Sequence, residues 1–196
     1  MREQLITLLK EGKVEEFNHL KQGRKRLELG GQFFIDLDLR GVNFSGAYLR
    51  NTVFARSRLE GADFTRAELS GSNFRLAVLV GANFDRARLR MADFSTAILR
   101  SACFRQANLS YADFARADLE EADFEKAILR RAKLWGADLT RANLRGACLA
   151  YADLWEANLW GADLRGANLT GASTFGACLK DAMLAQAQGL STLPFH

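Results

Sequence analysis

The sequence has a single proline, three cysteines, two histidines and no long apolar run, and each scarcity removes a class of protein. No stretch approaches the roughly 18 consecutive apolar residues of a membrane span, and the early run Leu5–Leu9 is cut off by Lys10 and Glu11, so a cytoplasmic protein without a transmembrane segment is expected. Cys103, Cys148 and Cys178 are odd in number and show no CxxC or paired-histidine spacing, which argues against a disulfide framework and a zinc site. With His19 near the start and His196 at the end, the interior offers no histidine for Ser/His/Asp or Cys/His chemistry. No Gly-rich phosphate loop and no cluster of metal ligands stands in their place. The expectation is a protein that is not an enzyme and binds no cofactor or metal.

Charge of one sign is also lacking. Lys and Arg total 27 against 23 Asp and Glu, for a formal net charge of +4. This mild excess, spread along the chain, falls below the charge density of nucleic-acid-binding proteins and makes nucleic acid an unlikely partner.

What is present is a strict period of five. From Phe34 to Leu184 every fifth residue is bulky and apolar through 31 units, with Thr174 the one polar occupant. Two residues before each centre lies a small residue, as in Ala62, Ala67, Ser72 and Ala77, with exceptions near the start at Leu37 and Val42. The other three positions carry Asp, Asn, Arg, Ser, Thr, Glu and Gly. A helix repeats at 3.6 and a strand at 2.0, so neither accommodates a period of five. Five residues per side of a coil does: a short extended piece buries its centre and the small residue two before it, and a tight turn follows. Gly41, Gly46, Gly61, Gly71 and Gly81, two residues after their centres, suit such corners.

The centres alternate Phe and Leu from Phe34 to Phe124, so alternate sides are inequivalent. Four sides make a coil of 20 residues, with Phe on two facing walls and Leu on the other two. Seven to eight coils at roughly 4.8 Å each give a rod about 35–40 Å long. Asp63, Asp93, Asp113 and Asp123 recur just before their centres, where turn hydrogen bonding and solvation explain them better than acid–base chemistry.

Runs such as Gly-Ala-Asp-Phe-Thr at 61–65, Arg-Ala-Asn-Leu-Arg at 141–145 and Gly-Ala-Asp-Leu-Arg at 161–165 resemble the A(D/N)LXX motif of pentapeptide-repeat proteins. The resemblance implies an all-β fold, the right-handed quadrilateral β-helix of that family, over residues 27–184. Residues 1–26 are expected to form a short helical cap, built on Leu5, Ile6, Leu8, Leu9, Val14, Phe17 and Leu20, followed by the basic linker Lys21–Arg26. Residues 185–196 are left as a C-terminal tail, and the resemblance implies a possible homodimer through that end.

Residues 20 apart should stack, which places Trp135, Trp155 and Phe175 on one wall and Trp160 on the next. Clustered exposed aromatics resemble protein-interface hot spots, so these four are the candidate partner-binding residues. Tyr111, Arg131 and Tyr151 form a second ladder, suited to cation–π stacking. Leu76, Val78, Val80 and Ile98 form an apolar patch that the N-terminal segment could cover. Arg50, Arg90 and Arg130 line one wall and Arg105, Arg145 and Arg165 the wall before it. Acids such as Glu68 and Asp123 lie between, as expected of solvated faces with local ion pairs.

The function expected is that of a non-catalytic scaffold or regulator presenting a rigid surface to a protein partner or a second copy. The resemblance also implies an alternative, gyrase binding and quinolone protection by DNA mimicry, although a mimic should be acidic and several such proteins carry loop insertions absent here. A second alternative is binding to an anionic surface, nucleic acid or membrane, through Lys21–Arg26 and the arginine ladders.

Overall fold

The computed structural model of the chain describes residues 2–22 and 27–189. Two short helices, α1 (Arg2–Lys10) and α2 (Val14–Lys21), precede an array in which every bridge is parallel and joins residues 20 apart, from Glu28–Tyr48 to Asn168–Gln188. The period of five is therefore one side of a four-sided coil, as the alternation of Phe and Leu requires. Leu29 supplies a buried centre one unit before Phe34, and the described array runs to about eight coils. We number the walls by their first bridging residues: first wall Glu28, second Phe33, third Asp38, fourth Asn43.

The motif follows from the backbone hydrogen bonds of one unit. Asp63 N–H donates to the Val42 carbonyl in the coil before, at 2.9 Å, and Phe64 N–H to the Asn83 carbonyl in the coil after, at 2.7 Å. Arg66 N–H donates onward to Asp85 O (2.9 Å), and Ala67 N–H closes the turn on Phe64 O (2.9 Å). Only Thr65 N–H has no backbone partner, and it donates to Asp63 Oδ1 at 2.9 Å. An Asp or Asn before the centre thus satisfies the one donor that the coil geometry orphans, which is why the position favours those residues.

Each corner turns on a residue of positive φ two after the centre, and from the Leu39 unit onward an i to i+3 bond crosses it, the signature of a type II turn; after Phe34 the Leu37 N–H donates instead to Ser57 Oγ at 2.9 Å. Gly61 sits at φ 65, but Leu76 and the β-branched Thr96 hold the same conformation at φ 59. Coil stacking imposes the corner; glycine only eases it.

The phenylalanines stand in two columns on the second and fourth walls. Within a column the rings are parallel, as in Phe64–Phe84 at 4.8 Å and 1° and Phe74–Phe94 at 4.8 Å and 2°. Between columns they meet edge to face, as in Phe74–Phe84 at 5.8 Å and 85°. Both are favoured aromatic geometries, and together they fill the prism where the facing small residues leave room.

The first coil has no coil beneath it, and the helices cover it as expected. Phe17 packs edge-on against Phe44 at 5.4 Å, continuing the aromatic column into the cap. Three polar side chains replace the missing backbone partners. Arg2 Nε donates to Glu28 O (2.9 Å), Asn18 Oδ1 accepts from Asn43 N–H (2.8 Å), and Lys21 Nζ donates to Ser45 O (2.8 Å). An open strand edge is thereby closed. Burial of Lys21 pushes its ammonium down to about 8, against the raising influence of Asp63. The rest of the basic run, Gly23–Arg26, and the tail from Leu190 onward lie outside the described residues.

Candidate binding surfaces

Trp135, Trp155 and Phe175 follow one another up the corner after the second wall. Their backbones are linked through Gly136 N–H to Trp155 O (2.8 Å) and Glu156 N–H to Phe175 O (2.9 Å). The three rings do not stack: among the described residues every ring–ring contact is between phenylalanines of the core and cap. Arg116 covers Trp135, its guanidinium 4.6 Å from the ring centroid. Trp155 is 42% exposed and Phe175 75% exposed, and among the described residues neither ring has a cation or aromatic partner.

Trp160, on the next corner, is engaged on two sides. Arg141 lies 5.1 Å over its ring, and its indole N–H donates to Asp181 Oδ2 at 2.9 Å. Of the four aromatic candidates the structure thus groups three on one corner, sets Trp160 apart, and leaves Trp155 and Phe175 as the open pair. The mid-rod apolar patch also stays open. Leu76, Val80 and Ile98 are exposed, because the N-terminal segment covers the end of the prism and not its wall.

Acids on the third and fourth walls are largely matched by arginines. Arg40 pairs with Asp38 (2.6 Å), Arg58 with Glu60 (2.9 Å), Arg100 with Asp118 (2.5 Å) and Arg105 with Glu125 (2.5 Å). The Arg40 guanidinium holds the Asp38 carboxyl below the usual carboxylate range. Cys103, Cys148 and Cys178 are unpaired, and burial pushes the Cys103 thiol up, away from reactivity.

The first wall is different. The expected ladder is present, with Arg131 lying 5.9 Å from the Tyr111 centroid and 5.7 Å from that of Tyr151. Arg90 and Arg130 add a second cation to each ring, at 5.6 and 5.4 Å. Below them, two open depressions of about 370 and 540 Å³ flank Glu68, the first lined by Arg66, Arg86 and Arg88, the second by Arg50 and Arg90. Glu68 is only 8% exposed. Burial alone would raise its carboxyl, but the Ser70 hydroxyl and N–H together with Arg50 outweigh that and leave it lowered. Of this group the sequence reading singled out Arg50, Arg90 and Glu68. The signal for the others was the joining of two corners to one wall.

These walls, coils and corners define a four-sided parallel β-solenoid built from five-residue repeats. Comparison with protein families matches Pentapeptide repeats, in eight copies, over residues 38–75, 77–110, 107–146 and 147–186. The chain belongs to the pentapeptide-repeat family. Among solved structures it is similar to HetL, a pentapeptide repeat protein involved in heterocyst differentiation regulation from the cyanobacterium Nostoc. That match has 29% identity and a TM-score of 0.50, and covers 90% of this chain and 95% of HetL. It is also similar to QnrB1, a plasmid-mediated fluoroquinolone resistance protein. One trypsin-treated structure matches at 22% identity and a TM-score of 0.52, covering 83% of this chain and 90% of that one. A comparison with curated protein sequences gives no match. No helix among the described residues is long and apolar enough to cross a membrane.

Proposed function

We infer that the protein is a non-catalytic binding scaffold, working in the cytoplasm, that presents the Trp155–Phe175 corner to a protein partner or to a second copy of itself. The observation that carries this reading is two large rings, 42% and 75% exposed, set one coil apart on a rigid frame and, among the described residues, without a cation or aromatic partner. Such rings lose little conformational entropy on binding and supply large contact areas, as interface hot spots do. Trp135, fixed by Arg116, lies one coil below the open pair on the same corner, and Trp160, fixed by Arg141 and Asp181, lies on the next corner. HetL's involvement in regulation is compatible with the same use of this frame. Gyrase binding by mimicry finds less support, since a mimic needs bare acids and here Asp38, Glu60, Asp118 and Glu125 are held by arginines.

The test is light scattering and affinity capture with wild-type protein and a Trp155→Ser/Phe175→Ser variant. Both side chains are exposed, so the variant should fold. Loss of self-association or of a captured partner supports the corner as the interface. Retention of every association seen with wild-type would remove it, and a gyrase supercoiling assay in parallel decides the mimicry alternative.

A further inference from the structure

The net charge of +4 hides a sorting of charge by wall. Between Ser45 and Tyr151 the first wall and its two corners carry ten basic residues and three acids, Glu68, Asp85 and Glu125, the last two paired with Arg86 (3.7 Å) and Lys126 (3.6 Å). The third wall counted the same way, from Ile35 to Asp181, carries eight basic residues and nine acids. Arg66 and Arg86 lie one above the other on one edge, with Lys126 further up; Arg50, Arg90 and Arg130 line the other edge. Among the described residues Arg66, Arg90, Arg130 and Arg131 form no ion pair, whereas most arginines of the third and fourth walls do. Nine of the ten cations are arginine, whose planar fork matches a phosphate with two parallel N–H donors.

The arginines are also held in place before any ligand arrives. Glu68 draws in Arg50 (3.3 Å) and Arg88 (3.7 Å) from either side, and Tyr111 and Tyr151 brace Arg90, Arg130 and Arg131. All three tyrosines of the chain, Tyr48, Tyr111 and Tyr151, lie on this wall, between 42% and 51% exposed. The coil rise, taken from the 4.8 Å ring spacing of the core columns, makes it a strip about 24 Å long and one five-residue side wide.

We propose that the first wall is a binding strip for single-stranded nucleic acid, with the two arginine edges tracking phosphates and the Tyr–Arg–Tyr ladder meeting unpaired bases. Single strands are bound by cationic tracks interleaved with aromatic and guanidinium planes on which bases stack. An anionic lipid surface or a sulfated polymer uses the charge but has no base to place on the ladder. A duplex keeps its bases stacked inside and likewise leaves the ladder unused. The strip is separate from the Trp155–Phe175 corner and does not depend on it.

The experiment is fluorescence anisotropy of the full chain with a labelled 20-nucleotide oligothymidylate, the matching duplex, and phosphatidylserine vesicles as competitor. With about five phosphates engaged, affinity for the single strand should fall about 100-fold between 50 and 200 mM salt. It should exceed that for duplex at least 10-fold, and the vesicles should not displace it. Arg90→Glu/Arg130→Glu should weaken binding at least 10-fold, and Arg58→Glu/Arg100→Glu on the third wall should not. All four residues are exposed, and an unchanged melting temperature verifies the fold. No binding at 50 mM salt, equal binding of duplex, displacement by vesicles, or equal loss in the third-wall variant would each overturn the proposal.

Discussion

The side-chain amide of Asn18 stands where a backbone is missing beneath Asn43. Its Oδ1 accepts from the Asn43 N–H at 2.8 Å while its Nδ2 donates to Gly41 O at 3.0 Å. One helix residue thus imitates a segment of the coil that would have come before. Replacement by Ala leaves both groups orphaned near the edge, at a cost of about 1–3 kcal/mol. In a solenoid that loss is local, so cap opening rather than global melting should report it. Amide hydrogen exchange at Asn43 should accelerate about 10-fold or more in Asn18→Ala; an unchanged rate would show that the Asn18 amide does not close this edge.

Lys21 gives the cap a pH dependence. Its folded-state value of about 8 lies below the ordinary 10.5, so between those limits the unfolded chain binds more protons and stability rises with pH. Below about pH 8 Lys21 is charged in both states and its buried charge weighs fully against the folded form. Wild-type protein should therefore gain stability in urea between pH 7.5 and pH 10 relative to Lys21→Met. If the difference between the two proteins stays constant over that range, the ammonium is not desolvated in the cap.

Thr96 takes a left-handed corner at φ 59 despite its branched Cβ. Replacing it by Gly removes that strain, partly offset by greater freedom in the unfolded chain and by the lost contact of Thr96 Oγ1 with Ser95 O at 2.6 Å. Thr96→Gly should be stabilising by about 0.5–1 kcal/mol in a thermal melt, whereas Thr96→Val should gain nothing.

Thr174 occupies a core centre, 2% exposed, and among the described residues its hydroxyl has no hydrogen-bond partner. Val has the same shape without the polar atom. Thr174→Val should raise stability by about 1 kcal/mol, or about 2–4 °C in melting temperature. A loss instead would place an ordered water on the hydroxyl.

The repeat was legible because one residue type recurs wherever the chain turns inward, and the Phe–Leu alternation revealed the number of sides. The Tyr111–Arg131–Tyr151 ladder was legible for the same reason, as its members are 20 apart. Arg116 on Trp135 and Arg141 on Trp160 were not. These pairs lie 19 apart, because the second corner residue of one coil leans on the first corner residue of the next. The roles of Asn18 and Lys21 were also hidden, since polar residues in a helix carry no period. The sorting of charge by wall was not legible in the net charge, because a total averages over four walls and the basic strip emerges only when both corners beside a wall are assigned to it.

The pairing of residues 20 apart makes the surface a matter of phase. Adding or deleting a full coil would lengthen or shorten the rod and leave each wall its character. Removing a single five-residue unit would keep the order of small residue then bulky residue in every unit, yet rotate everything after it by a quarter turn and set later phenylalanines over leucines at the cut. A cut between Glu68 and Arg88 would send Arg88, Arg90 and Arg130 to the fourth wall and bring Asp93, Ser95 and Trp135 into their former places. The interior tolerates such an edit and the exterior does not, so in this architecture fold and recognition are inherited on two different rulers, one marked in fives and the other in twenties.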